Sequence, residues 1–179
     1  MPIFLIDFHV HTSNSDGNDD PETVVKYAKR IGLHGLAITD HDIPIDEDTT
    51  DLLTDKYDML IIPGIECTSS QGHIILLGVH EAPPKKSDIR EIIRFAHKRD
   101  SLIIAPHPFD FLRHGITSYV TKIKIDAIEV FNSGSLFNGF NKMALKYAKR
   151  NNLPMVASSD AHDIRELGSA YTAFIVDSI

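Results

Sequence analysis

Apolar and polar residues follow two rhythms along this chain. Short, β-branched runs bounded by turn residues read as strands: IFLIDFHV (3–10), LAITD (36–40), MLIIPGIE (59–66), HIILLGV (73–79), LIIAPH (102–107), AIEVFN (127–132), PMVASSD (154–160) and SAYTAFIV (169–176). Between them the apolar positions fall at helical spacing. In DPETVVKYAKRIG, Asp20 suits an N-cap, Pro21 the first helical position, and Val24, Val25, Ala28 and Ile31 one apolar face. SDIREIIRFAHKR places Ile89, Ile92, Ile93 and Ala96 together, FNKMALKYAKRN gives another helix, and the polar stretch 46–58 a weak one.

Strands alternating with helices predict an α/β protein with a largely parallel sheet. One connection breaks that pattern. Only residues 67–72 separate the third and fourth strands, too few for a parallel crossover. The fourth strand is therefore predicted to run antiparallel to the third. The short connection 161–169 raises the same question for the last strand.

Composition narrows the class. The 179 residues suit one domain, 1–179, and 42% hydrophobic with 24% charged residues is ordinary for a globular chain. No apolar run is long enough to span a membrane, and MPIFLIDF lacks the basic start and small-residue cleavage site of a signal peptide. The single cysteine, Cys67, fits a reducing compartment, so a cytoplasmic location is expected. A net charge of −7 disfavours a broad nucleic-acid surface. It does not exclude an anionic substrate, because two or three divalent ions would add roughly four to six local positive charges.

The ten histidines decide the reading by where they fall. In IDFHVHTSNSDG, Asp7, His9 and His11 stand at alternate positions, which in a regular strand share one face, with Phe4, Ile6, Phe8 and Val10 on the other. One histidine on a strand is most simply a core residue. Two at this spacing, with an aligned acid, converge on one ion. The next strand ends at Asp40, His41 and Asp42, the third at Glu66, the fifth at His107, the sixth at Glu129 and Asn132, and the seventh at Asp160 and His162. His73 opens the fourth strand, and if that strand is antiparallel it faces Glu66. Carboxyl ends of strands are where α/β barrels and sheets build their sites. A multinuclear metal centre is expected there.

These residues resemble a family. Asp7-x-His9-x-His11, Thr39-Asp40-His41-Asp42, Gly64-Ile65-Glu66, His107-Pro108 and Ser159-Asp160-Ala161-His162 are similar, in order and spacing, to the motifs of the PHP (polymerase and histidinol phosphatase) family from residue 7 to about 168. The resemblance implies a distorted TIM-like (β/α)7 barrel with two or three divalent ions (Mn, Fe or Zn) at its C-terminal face. It implies one ion on His9, His11, Glu66 and Asp160, and a second sharing Glu66 with His73 and His107. It implies a third on His41, His162 and Asp16, where several members carry histidine. It also implies phosphate-ester hydrolysis, with Glu66 and Asp160 placing a metal-bridging hydroxide as nucleophile. Relatives usually continue into another helix beyond the final strand, so the barrel here is expected to close less completely or against a partner.

Further roles follow from position. Asp7 and Asp42 are expected to orient ligand imidazoles. Arg113 and His114, in HPFDFLRHG, and Arg165, in DIREL, are candidates for substrate phosphate. Cys67, beside Glu66, reads as a small buried hydrophobe, and His34, His80 and His97 lie away from the cluster. The leading expectation is an enzyme acting on a small phosphomonoester, a nucleotide or phosphorylated metabolite. A 3′–5′ exonuclease uses the same chemistry but wants a basic track with interleaved aromatics. A C–N hydrolase of the amidohydrolase kind comes third, and a non-catalytic, metal-stabilised subunit is the alternative of a different class.

Overall fold

A computed structural model describes residues 1–175. The strands are β1 (Ile3–Val10), β2 (Gly35–Ile38), β3 (Leu60–Ser69), β4 (Gly72–Leu77), β5 (Leu102–Ala105), β6 (Ala127–Asn132), β7 (Met155–Ser158) and β8 (Thr172–Ile175). The helices are α1 (Pro21–Arg30), α2 (Glu47–Tyr57), α3 (Ile89–His97) and α4 (Asn138–Asn151). Val176, placed in the last predicted strand, lies outside the described residues. No helix among the described residues is long and apolar enough to cross a membrane.

One mixed sheet runs in the order β7-β6-β5-β4-β3-β2-β1-β8. β4 is antiparallel to β3, as the short connection requires, and also to β5. The other neighbours in the run from β1 to β7 are parallel. The sheet curls into the distorted TIM-like barrel. At its carboxyl end β7 meets β1: His11 N donates to Ala161 O at 2.9 Å and Asp160 N to His9 O at 2.9 Å. At the amino end β8 fills the seam, antiparallel to β1 with Ile3 opposite Ile175, and Thr172 Oγ1 bonds both Ala157 N and Ala157 O of β7. The last strand is therefore antiparallel, but to β1.

Side-chain alternation explains the layers. Phe8, Ala37, Ile62, Ile75, Leu77, Ile104, Ala127 and Val156 give at least one residue from each of β1 to β7 to one cluster, which fills the barrel interior. Outside, Val10, Leu36, Ile38 and Ile61 pack under Val24, Val25 and Ala28 of α1 and Leu53 of α2. Ile65, Ile74, Leu76, Ile103 and Ile128 pack under Ile89, Ile92, Ile93 and Ala96 of α3. Asp20 caps α1 by accepting from Thr23 N at 3.0 Å. Ile92 is 1% exposed. Its truncation to alanine removes buried methyl groups and leaves a cavity, so equilibrium urea unfolding should show a loss of about 2–5 kcal/mol.

Strict alternation fails in β1, and the failure shapes the site. Pairing with β2 slips by one residue between Asp7 and Val10, a β-bulge. Asp7 pairs with outward Leu36 and Val10 with outward Ile38, so both point outward, while Phe8 faces the interior. The expectation that Asp7 shares a face with His9 and His11 is corrected: the extra residue turns it to the opposite side. β6 carries a second slip, between Glu129 and Phe131. It brings Glu129 and Asn132, three residues apart, onto the inner face.

Candidate metal centre

The nine residues proposed from sequence as ligands gather at the carboxyl end of the barrel. Glu66, 1% exposed, lies at the middle. Its Oε1 is 3.0 Å from His73 Nδ1 and 3.1 Å from His107 Nε2. Its Oε2 is 3.1 Å from His41 Nδ1, 3.4 Å from His11 Nε2 and 3.5 Å from His9 Nε2. Asp160 Oδ1 stands 3.5 Å from His9 Nε2 and 3.4 Å from His11 Nε2. Farther out, Asp16 lies 3.6 Å from His11 Nδ1, 3.7 Å from His41 Nε2 and 3.5 Å from His162 Nε2. His73 reaches the centre because β4 turns back on β3 with His73 opposite Thr68, on the face that carries Glu66.

Four sets of these residues can each bring one ligand atom within 4.8 Å of the others: His9–His107–Asp160, His9–His11–Glu66, His41–Glu66–His73, and His11–Asp16–His41–His162. These sets overlap: His9, His11, His41 and Glu66 each fall in two of them.

The donor chemistry fits divalent ions. His11 Nδ1, His41 Nδ1, His73 Nδ1, His107 Nδ1 and Glu66 Oε2 are buried without a hydrogen-bond partner among the described residues, where buried polar atoms are nearly always paired. Burial pushes the Glu66 carboxyl up, but the nearby His9 and His73 imidazoles and the hydrogen bond from His107 outweigh it and hold it well below the usual range. Asp160 is likewise held low, burial being outweighed by His9, by a hydrogen bond from His11 and by His107. Burial pulls His9 down, yet Asp160, Glu66 and Glu129 raise it well above an ordinary imidazole. His41 is lowered, chiefly by burial. The carboxylates draw cations into this space, and the imidazoles can bind ions without cancelling their charge.

Supporting contacts fall partly where sequence placed them. His9 Nδ1 donates to Glu129 Oε1 at 3.2 Å, which leaves Nε2 to face the centre. Glu129 Oε2 accepts from His107 N at 2.6 Å and from Asn132 Nδ2 at 2.9 Å. Glu129 is the imidazole-orienting acid that sequence noted at a strand end without giving it a role. Asp7 does not orient an imidazole. Its oxygens accept from Ser159 N at 3.0 Å and Gly168 N at 3.4 Å, outside the barrel, and burial pushes its carboxyl up to about 6. Asp42 does not either: Oδ1 accepts from Thr68 N at 2.8 Å. Asp40 accepts from Thr12 N, Thr12 Oγ1 and Ser15 Oγ at 2.6–2.7 Å and so holds the loop that carries Asp16.

Of the three phosphate candidates, Arg113 is at the centre. Its Nη1 donates to Asp160 Oδ2, and its Nε to Gly134 O at 3.0 Å. His114 is exposed beside it, its ring 5.4 Å from that of His73. Arg165 is not brought in: it is exposed and forked onto Asp163 at 2.7 Å. Cys67 is buried, and burial pushes its thiol up. His34 accepts from Leu5 N at 3.1 Å and His80 bonds Ile45 O at 3.0 Å, both structural.

A distorted α/β barrel with a histidine–carboxylate cluster at the carboxyl ends of its strands defines a class, the metal-dependent hydrolase barrels. Within it, the chain belongs to the PHP domain family, matching the PHP domain over residues 7–124 and the PHP-associated region over residues 138–179. PHP family members are metal-dependent phosphoesterases.

An uncharacterised protein of Methanocaldococcus jannaschii is 29% identical over 150 residues, 78% of this chain and 88% of that protein. The phosphoribosyl 1,2-cyclic phosphate 1,2-diphosphodiesterase of Eggerthella lenta is 33% identical over 84 residues, 44% of this chain and 32% of that protein. The 5′-3′ exoribonuclease Rnm of Salmonella typhimurium is 33% identical over 90 residues, 47% of this chain and 31% of that protein. Among solved structures, a two-domain protein of Bacteroides vulgatus containing a predicted PHP-like metal-dependent phosphoesterase aligns with a TM-score of 0.74 at 26% identity. The alignment covers 92% of this chain and 54% of that one, so the chain spans about half its length.

Proposed function

We propose that the chain hydrolyses small phosphomonoesters, nucleotides or phosphorylated metabolites, at a centre of two or three divalent ions. The observation that carries this reading is Glu66, whose two oxygens are shared among five imidazoles from four strand ends. His9, His11, Glu66, His73, His107 and Asp160 would hold the inner ions, and Asp16, His41 and His162 the outer one. Bound divalent ions lower the pKa of water towards about 7 and neutralise charge on phosphoryl oxygens.

The chain's own groups do the positioning. Glu66 and Asp160 would supply the negative charge that holds the ions in place. Glu129 fixes the His9 tautomer and the His107 backbone through its two oxygens. Arg113 lies at the mouth, one third exposed, with donors free to turn from Asp160 to a phosphoryl oxygen. Asp16 is half exposed, so the outer site opens to arriving substrate.

The test is phosphate release from phosphomonoesters, nucleotides and oligonucleotides by protein reconstituted separately with Mn, Fe and Zn. No release by a chain shown to carry two ions would refute the reading. Asp16→Ala should lower the metal content by one ion per chain and raise KM about tenfold or more; unchanged metal content and KM would remove the outer site from the mechanism. A phosphodiester substrate is the second reading, supported by the diphosphodiesterase and exoribonuclease among the relatives. Release from oligonucleotides in preference to mononucleotides would select it.

A further inference from the structure

An open cleft of about 470 Å³ adjoins the centre and shares His73 with it. That volume lies within the roughly 300–1,000 Å³ of ordinary small-molecule sites. One wall is the β3–β4 turn, with Ser70 and Gln71; the other is the loop after His107, with Phe111, His114 and Thr117. The floor is backbone. His73 N donates to His114 O at 2.9 Å. A Cβ on Gly72, whose φ is +130°, would lie 2.4 Å from that same oxygen. The turn is pinned from behind, because the Gln71 amide donates to Asp88 Oδ2 at 3.0 Å and accepts from Ile89 N at 2.9 Å.

The walls differ in chemistry. Phe111 is 66% exposed although it belongs to a loop anchored at the centre, two residues before Arg113. The ring of Phe140 meets it edge-on, centroids 5.5 Å apart, and that ring in turn meets exposed Phe137. The cleft is thus lined by one exposed phenyl ring, with Ser70, Thr117 and the His114 imidazole around it. The Ser70 hydroxyl already donates to Gln71 Oε1 at 2.9 Å; an alkyl group would leave Thr117 and His114 unmatched, and a sugar alone would leave the phenyl ring in water. A flat heteroaromatic ring with a hydrogen-bonding edge matches both.

We propose that this cleft is a nucleobase subsite, with Phe111 as its stacking platform, and that the phosphomonoester taken by the centre is a nucleotide. The proposal rests on the phosphoesterase reading and narrows its substrate class. His73 places the subsite directly beside Glu66, so one ligand can span cleft and centre. Phe111 acts on binding and selectivity, and Glu66, Asp160 and Arg113 remain at the phosphate.

Adenosine 5′-monophosphate and ribose 5-phosphate, which differ by the base, separate the outcomes. In Phe111→Ala and Phe111→Leu the ratio of kcat/KM for the nucleotide over the sugar phosphate should fall about five- to a hundredfold, through KM, with Phe111→Tyr retaining most of it. An unchanged ratio, or equal loss in the leucine and tyrosine variants, would overturn the subsite while leaving phosphate-ester hydrolysis intact. Calorimetric titration of the metal-loaded chain with adenosine 5′-monophosphate needs no turnover. If no ester is cleaved, the phosphoesterase reading falls, and binding that weakens at least fivefold in Phe111→Leu but not in Phe111→Tyr still supports the subsite. Binding that is absent, or equal in all variants, removes it.

Discussion

Glu66→Gln is expected to lose metal and turnover together. The residue is 1% exposed and faces His9, His11, His41, His73 and His107 at 3.0–3.5 Å. Glutamine keeps the shape but removes the charge, and turns an amide donor towards imidazole nitrogens that need their lone pairs for ions. Several kcal/mol of charge stabilisation go with the ions, which corresponds to a fall in kcat of about 10³ or more. Elemental analysis of the purified variant, run beside steady-state kinetics, separates the possibilities. A variant with wild-type metal content and wild-type rate would show that Glu66 bridges nothing.

Glu129→Ala should produce the next largest change, although Glu129 is assigned to no ion. Its removal takes away the acceptor of His9 Nδ1 and leaves His107 N and Asn132 Nδ2 as buried donors without their partner. His9 is then free to rotate or change tautomer. Losses of this kind typically cost about 10- to 100-fold in metal affinity or activity, and the orphaned donors about 1–3 kcal/mol in stability. Competitive chelator titration reads the first and urea unfolding the second. An unchanged metal affinity would mean that the His9 ring is held by packing alone, and the orienting role would be withdrawn.

The positions of Glu66, His73 and Asp160 were legible because two elementary rules reached them. Only residues 67–72 separate the third and fourth strands as read from sequence, which forces a reversal, and the reversal puts His73 on the Glu66 face. Strand ends rich in His, Asp and Glu then mark one rim of the barrel. Asp7 was misread because period-two alternation was applied through a bulge, and nothing in IDFHVH announces the extra residue. The same cause hid Glu129: only the slip before Phe131 puts it and Asn132 on one face. Asp42 sits at a turn where φ is +55°, and its carboxylate bonds the neighbouring strand's backbone instead of His41. Arg165 was drawn into the site by its nearness to His162 in sequence, but Asp163, two residues away, takes its guanidinium first.

The seam between β1 and β7 bears on how the protein is made. His9 and His11 emerge about 150 residues before Asp160, which completes their surroundings. β1 also waits for β8, since Ile3 pairs with Ile175. Closure therefore depends on contacts between distant parts of the chain, which slow folding. On the ribosome, β1 through β6 must remain an open, unsealed sheet with its histidines accessible to water and to any passing metal. Ions captured then would meet a partial ligand set, and which ion is kept would be decided only when β7 arrives and brings Asp160 to the rim.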